Sequence, residues 1–126
     1  MTFQVGTGTT VRAHHVMPGA EGPEGEQHAH DYRIEVVVAR SQLDDRGMVC
    51  DLDVLNLALE ETVSRIRDVD LEVIRPREAE AVTVEVFARW AHDALAQAVR
   101  MAGGEALAVR VWESETAFGG YTAPVA

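Results

Sequence analysis

Apolar and polar side chains alternate along two stretches near the beginning of the chain. Residues 3–16 carry Thr and Val at alternate positions, and residues 29–40 carry Ile34, Val36 and Val38 with the same period of two. This alternation is typical of half-buried strands. Residues 17–27 between them are rich in Gly and Pro, which indicates a loop. The pattern therefore predicts two strands that pair as a hairpin.

After the predicted hairpin, apolar residues recur at the spacing of α-helices. The turn at residues 43–47 leads to Asp51, which can cap a helix with an apolar face, and Thr83 can cap a second helix with Glu85 in its first turn. Gly103 and Gly104 should end that second helix. The predicted buried positions of the first helix are Leu52, Leu55, Leu59, Val63 and Ile66. Those of the second helix are Phe87, Trp90, Ala91, Ala94, Leu95 and Ala98.

Two further strands are predicted, at residues 106–113 and at residues 121–125. The order ββααββ predicts a single α+β domain over residues 1–126, with a four-stranded antiparallel sheet and two helices on one face. Such a sheet has exposed edges that must be protected. We therefore expect the chain to form a homo-oligomer through its sheet edges.

Composition narrows the possible partners. The chain has 126 residues, 47% of them apolar, and a formal net charge of −10, which disfavours nucleic acid as a partner. It contains no apolar run of the roughly 18–20 residues that a membrane span needs, so we expect no membrane association. The lone Cys50 argues against disulfides and fits a reducing cytoplasm.

Three histidines carry the candidate chemistry. His28 and His30 share one face of the second strand because residues i and i+2 of a strand point the same way. In the predicted hairpin His15 lies opposite them on the apolar face, whereas His14 points to the other face. Three neutral imidazoles with an open fourth position are what a catalytic Zn²⁺ needs. The alternative is that each is an ordinary polar residue satisfied by its surroundings.

Two other polar residues lie on helix or strand faces. Glu113 follows a row of apolar side chains on one face of the third strand, Leu107, Val109 and Val111. A carboxylate there either meets solvent at the strand end or awaits a ligand with adjacent N–H donors. His92, beside Asp93 in the second helix, is predicted to lie on a solvated face.

Five segments, in order, resemble one enzyme family over nearly the whole chain. Ala-His-His-Val-Met-Pro at residues 13–18 resembles the family's Ala-Ala-His-Arg-Leu-Pro, and His-Ala-His-Asp-Tyr at residues 28–32 resembles His-Gly-His-x-Tyr/Phe. Residues 47–52 resemble Gly-Met-Val-x-Asp-Phe, and residues 82–88 are similar to Pro-Thr-x-Glu-Asn-x-Ala. Trp-Glu-Ser at residues 112–114 resembles x-Glu-Thr. The family is the 6-pyruvoyl-tetrahydropterin synthase / 6-carboxy-tetrahydropterin synthase family.

The resemblance implies the tunnelling fold, in which trimers close a sheet barrel and two trimers stack as a hexamer. It implies Zn²⁺ bound by His15, His28 and His30, and a pterin ring held through its 2-amino and N3–H groups by Glu113. Thr83 and Glu85 would lie near the pterin pocket, in the same subunit or across a subunit boundary. A pterin-like small molecule is the partner that this implies.

The chain also departs from the family pattern. The catalytic Cys stands four residues before the His-x-His triplet in the family, and that position is Glu24 here. The only thiol, Cys50, falls elsewhere and is expected to be a small buried residue. The family's Asp-His pair corresponds to Asp70 and Leu71, so the Asp is kept and the His is lost. A branch of the family carries Glu at the Cys position and resembles enzymes that release a 6-hydroxymethylpterin.

These observations predict a zinc-dependent lyase that acts on the side chain of a reduced pterin, with Glu24 and Asp70 as catalytic candidates. Glu24 would take or return a proton, and Asp70 would orient a water or a neighbouring group. Two alternatives remain open. The chain could be a repurposed homologue that binds zinc and a pterin-like molecule without turnover, or a recruited member acting on another small molecule.

Overall fold

The computed structural model describes the whole chain except Pro18 and Glu21, and it describes Glu24 by its backbone alone. Four strands form one antiparallel sheet in the order β1-β2-β3-β4, namely β1 (Phe3–His15), β2 (His28–Arg40), β3 (Ala106–Trp112) and β4 (Phe118–Pro124). Two helices follow β2, α1 (Leu52–Ser64) and α2 (Val84–Met101). Short 3₁₀ helices lie at Gly22–Gly25 and Leu71–Ile74. The predicted α+β fold is confirmed.

The register of β1 and β2 places the candidate ligands side by side. His15 pairs directly with His28, and Ala13 pairs with His30. Alternate residues of both strands are buried on the face that carries these histidines, including Val11 and Ile34. The period-two pattern therefore identified the buried face correctly.

The core lies between the sheet and the two helices. The residues of β2 and β3 that contribute to it alternate along each strand, and all are almost completely buried: Ile34, Val36, Val38, Leu107, Val109 and Val111. The helices cover them with Leu55, Leu59, Phe87 and Leu95. Both helices thus lie on one face of the sheet, as the pattern predicted.

The predicted helix ends are confirmed by their hydrogen bonds. The Asp51 carboxylate accepts from the backbone N–H of Asp53 at 2.8 Å at the start of α1. The Thr83 hydroxyl accepts from the N–H of Val86 at 3.2 Å at the start of α2. Beyond α2, Gly103 adopts a φ of 101°, which a residue with a side chain rarely takes. Local capping chemistry therefore sets where these helices begin and end.

The prediction for His92 was wrong. Its side chain is buried in α2, its Nε2 lies 3.2 Å from the carbonyl oxygen of Ala123, and its ring packs edge-on against Tyr121 with centroids 5.0 Å apart. The reason is that β4 packs on α2, so that residues of this strand cover a side chain that the helical pattern alone placed in solvent. The polar ring is tolerated there because a strand carbonyl satisfies it.

Other predicted faces differ in detail. Leu52 is 41% exposed, so the buried face of α1 begins at Leu55. In α2 the fully buried set includes Ala88 and Val99, whereas Trp90, Ala94 and Ala98 are half-buried. The buried face of α2 is thus wider than the helical spacing alone predicted, because the helix packs on both β3 and β4.

None of the helices in the part of the chain that the structure describes combines the length and the hydrophobicity that a transmembrane segment requires.

Candidate functional site

Three imidazole rings lie together where β1 ends and β2 begins. The ring centroids of His15 and His28 are 5.5 Å apart, and those of His28 and His30 are 4.6 Å apart. Two imidazoles bound to one tetrahedral zinc would have centroids about 5 Å apart, given a Zn–N distance of about 2 Å. Nevertheless, among the residues that the structure describes, no three His, Cys, Asp or Glu side chains have the arrangement of a metal site. The three rings are therefore neighbours that do not form such a group in this structure.

A backbone carbonyl orients the middle ring. His28 Nδ1 lies 2.7 Å from the carbonyl oxygen of Glu26. Because a carbonyl can only accept, Nδ1 carries the proton and Nε2 presents a lone pair. Such a second hydrogen bond on the ring is typical of histidines that bind metals through the other nitrogen. The donor set and the tautomer of His28 therefore fit a zinc ion.

His14 and His15 differ in position although they are adjacent. His15 is buried on the face covered by the helices, at 6% exposure, whereas His14 is half-buried on the other face of β1. The alternation of the strand excludes His14 from the group formed by His15, His28 and His30. This distinction was predicted from parity alone.

A cavity of about 160 Å³ adjoins His15. It is lined by residues from four parts of the chain, including His15, Tyr32, Thr83, Glu85, Phe87 and Glu113. The structure thus gathers one candidate ligand and all three candidate substrate-binding residues around one hollow.

The two carboxylates lie on the exposed rim of this cavity. Glu113 directly follows β3 and is held by its backbone N–H, which donates to the carbonyl of Ala117 at 3.1 Å. Glu85 is exposed in the first turn of α2, where the helix dipole stabilises an acid. Thr83 uses its hydroxyl to cap α2, and this bond holds the first turn of the helix, which carries Glu85, at the rim of the cavity.

The sequence assigned no role at the site to Tyr32 or Gly119, although Tyr32 ends the His-Ala-His-Asp-Tyr segment. Tyr32 is buried between His30 and Phe87, with ring centroids 5.5 Å and 5.2 Å away. Gly119 in β4 faces the start of α2, and a Cβ there would lie 2.6 Å from Val84 Cγ2 and 3.0 Å from Glu85 Oε1. The glycine therefore allows the first turn of α2 to approach the sheet.

Asp70 is not one of the described residues that line the cavity. Its Oδ1 accepts from the N–H of Glu72 at 2.9 Å, and its Oδ2 accepts from Gln27 Nε2 at 3.0 Å. The next residue, Leu71, is buried at 1% exposure, so an apolar side chain occupies the position of the family's His. The side chain of Glu24 lies outside what the structure describes, and its backbone belongs to the 3₁₀ helix Gly22–Gly25.

Cys50 is buried away from this cavity, as expected. Burial raises the pKa of its thiol, and the neighbouring Asp51 carboxylate raises it further. A thiol that resists ionisation is a poor nucleophile. Cys50 therefore does not replace the family's catalytic Cys.

Comparison with known proteins agrees with the fold. The family model described as 6-pyruvoyl tetrahydropterin synthase matches residues 6–124. The 6-pyruvoyl tetrahydropterin synthase of Plasmodium falciparum superposes with a TM-score of 0.76 at 11% identity, covering 98% of each chain. That of Caenorhabditis elegans gives 0.67 at 14% identity, covering 98% of this chain and 96% of that one. An uncharacterised protein of Wolinella succinogenes gives 0.71 at 15%, covering 96% and 98%.

The Plasmodium vivax 6-pyruvoyltetrahydropterin synthase has the same fold, with a TM-score of 0.74 and 9–10% identity, covering 98% of this chain and 99% of that one. Two of its structures replace a catalytic glutamate, one with Ala and one with Cys. No curated protein matches the chain in sequence.

Proposed function

The chain belongs to the 6-pyruvoyl tetrahydropterin synthase family, and from this premise we propose that it is a zinc-dependent lyase acting on the side chain of a reduced pterin. The observation that carries the proposal is the position of the His15–His28–His30 group, beside a cavity with Glu85 and Glu113 on its rim. A zinc ion bound by the histidines would then lie next to a pterin ring bound in the cavity.

His15, His28 and His30 would hold the zinc. Their chemistry fits, because all three are imidazoles on one face of a hairpin and the Glu26 carbonyl keeps the proton of His28 on Nδ1. Their side chains leave the same face of the hairpin, and binding of the ion would require them to rotate until the three nitrogens meet. When bound, the ion would act as a Lewis acid on side-chain oxygens of the substrate.

Glu113 would bind the pterin ring. An ionised carboxylate accepts two N–H bonds from adjacent donors, and such charge-assisted pairs are both strong and directional. Its place after β3, on the rim of the cavity, leaves it accessible to a ring that enters from solvent. Glu85 would assist from the facing helix, and Thr83 would keep that helix start in place.

Glu24 would transfer the proton. The catalytic glutamate of the P. vivax relative supports this role, as does the position of Glu24 four residues before His28 in the Gly-rich loop. The reaction would then be of the Glu-for-Cys branch, which forms a 6-hydroxymethylpterin. Asp70, whose two oxygens are engaged, would orient a neighbouring group rather than touch substrate.

The sheet edges favour assembly into the family's barrel. The outer edge of β1 is covered near His15. There the Asp68 N–H donates to the Arg12 carbonyl at 2.7 Å, and the His14 N–H donates to the Val69 carbonyl at 2.9 Å. The rest of that edge and the outer edge of β4 pair with no strand in the described part of the chain. We propose that copies join these edges in a trimer, and that trimers stack as a hexamer.

The direct test is product analysis on protein of known zinc content. Incubation with dihydroneopterin and with its triphosphate, followed by mass spectrometry, should give a 6-hydroxymethylpterin in the zinc-loaded sample. Removal of zinc by a chelator should abolish the product, and added zinc should restore it. Unchanged substrates with fully loaded protein would contradict the lyase activity.

A second function is favoured by one observation, the buried Leu71 in the place of the family's His. A homologue without this proton carrier could bind zinc and a pterin without turnover. Tight pterin binding together with unchanged substrate would identify that function.

Replacement of Glu113 tests pterin binding in either case. Glu113→Gln should weaken binding of a fluorescent pterin by about 10- to 100-fold, because a neutral amide replaces the charged acceptor. Zinc content should not change. Glu115→Gln is the matched control, because Glu115 is exposed two residues on and does not line this cavity. Equal affinities of the two variants would exclude Glu113 from the binding site.

A further inference from the structure

Gln27 connects the metal-ligand strand to a distant loop. It immediately precedes His28, and its side-chain Nε2 donates to Asp70 Oδ2 at 3.0 Å across 43 residues of sequence. Gln27 is exposed and Asp70 is half-buried, so this contact lies at the surface, and what it supplies is a fixed position of one segment against the other. This contact therefore restrains the backbone at the point where β2 begins.

The acceptor of this bond is itself held in place. Asp70 Oδ1 accepts from the N–H of Glu72 at 2.9 Å and caps the 3₁₀ helix Leu71–Ile74. The residue before it, Val69, accepts through its carbonyl from the N–H of His14 at 2.9 Å. Asp70 is thus anchored against the edge of β1, one residue from His15. Val69 and Asp70 therefore contact the end of β1 through their backbone and the residue before β2 through the Asp70 carboxylate.

The same short segment orients the ring of His28. The carbonyl oxygen of Glu26, one peptide before Gln27, accepts from His28 Nδ1 at 2.7 Å. If the Gln27 side chain were released, the peptide carrying this carbonyl would be free to rotate. The ring would then lose the contact that keeps its proton on Nδ1 and its lone pair on Nε2.

We infer that Gln27 and Asp70 form a clamp that holds the His28 imidazole in its metal-binding orientation and so sets the affinity of the site for zinc. The inference rests on the proposed zinc site and assigns Gln27 and Asp70 as positioning residues. With Leu71 buried beside it, the Asp70 carboxylate serves the clamp through both of its oxygens.

Exchanging the amide of Gln27 and the carboxylate of Asp70 tests the clamp. Gln27→Glu places two carboxylates in contact, and the zinc dissociation constant should rise about tenfold. This is the lower end of the range found when a partner bonded directly to a metal ligand is lost, because Gln27 acts on His28 only through the Glu26 carbonyl. Asp70→Asn alone should have little effect, because Gln27 can turn its amide over and accept from the new amide. The double variant Q27E/D70N restores a donor facing an acceptor and should return within about threefold of the original affinity.

Zinc affinity is measured by chelator competition on the full-length protein, with thermal unfolding of the zinc-free protein as a control for folding. NMR of the imidazole nitrogens should show His28 protonated on Nδ1 in the original protein and in the double variant. If Q27E binds zinc as tightly as the original protein, or if the double variant is no better than Q27E, the clamp is overturned. If the original protein itself binds no zinc, the proposed function fails, and the clamp fails with it.

Discussion

His28→Ala should purify without stoichiometric zinc. The proposed site has three protein ligands, and the loss of one should raise the dissociation constant by about 10²- to 10³-fold, judging from the free energies of zinc sites. The same is expected for His15→Ala and His30→Ala. Zinc content is measured by elemental analysis of dialysed protein, and affinity is measured by chelator competition.

His14→Ala is the matched control for this experiment. His14 is adjacent to His15 and has the same side chain, but it points to the opposite face of β1. Its removal should leave zinc content unchanged. Full zinc occupancy in His28→Ala, or equal loss in His14→Ala and His15→Ala, would refute the ligand set.

Glu24→Ala should retain zinc and lose turnover. A positioned general acid or base contributes about 10²- to 10⁴-fold to a rate, so kcat on dihydroneopterin or its triphosphate should fall by that factor. Binding of a fluorescent pterin should change little, because the proposed contacts to the ring come from Glu113. Single-turnover kinetics on zinc-loaded protein separates these two effects.

Glu26→Ala provides the comparison within the same loop. Glu26 is exposed, and the contact it makes to His28 comes from its backbone carbonyl, which alanine retains. We expect zinc content and turnover to stay close to those of the original protein. Activity retained in Glu24→Ala would instead remove Glu24 from the mechanism, and an equal loss in both variants would point to the charge of the loop.

Strand alternation and helix capping, which each involve only a few neighbouring residues, account for what the sequence predicted correctly. Alternation placed His15, His28 and His30 on the buried face of the hairpin, and the register then set His15 opposite His28. Capping chemistry placed the starts of both helices at Asp51 and Thr83. In each case the signal spans only a few residues, so it does not depend on what the rest of the chain does.

Other features depend on contacts between distant segments. The sequence pattern placed His92 in solvent, and the structure buries it because β4 covers α2 and the carbonyl of Ala123 accepts its N–H. Asp70 was expected to orient a neighbouring group, but its partner Gln27, 43 residues away, could not be found from spacing. Likewise, Tyr32 and Gly119 acquire their roles only beside α2.

The order of strands and helices, the helix caps and the face of each strand histidine were therefore determined by the sequence itself, because backbone periodicity and capping act over a few residues. Tertiary structure decided which carboxylates share a cavity with His15 and which residues brace His28. Those relations join β1, β2, α2 and the segment after β3, and only the packing of the sheet against its helices brings these elements together.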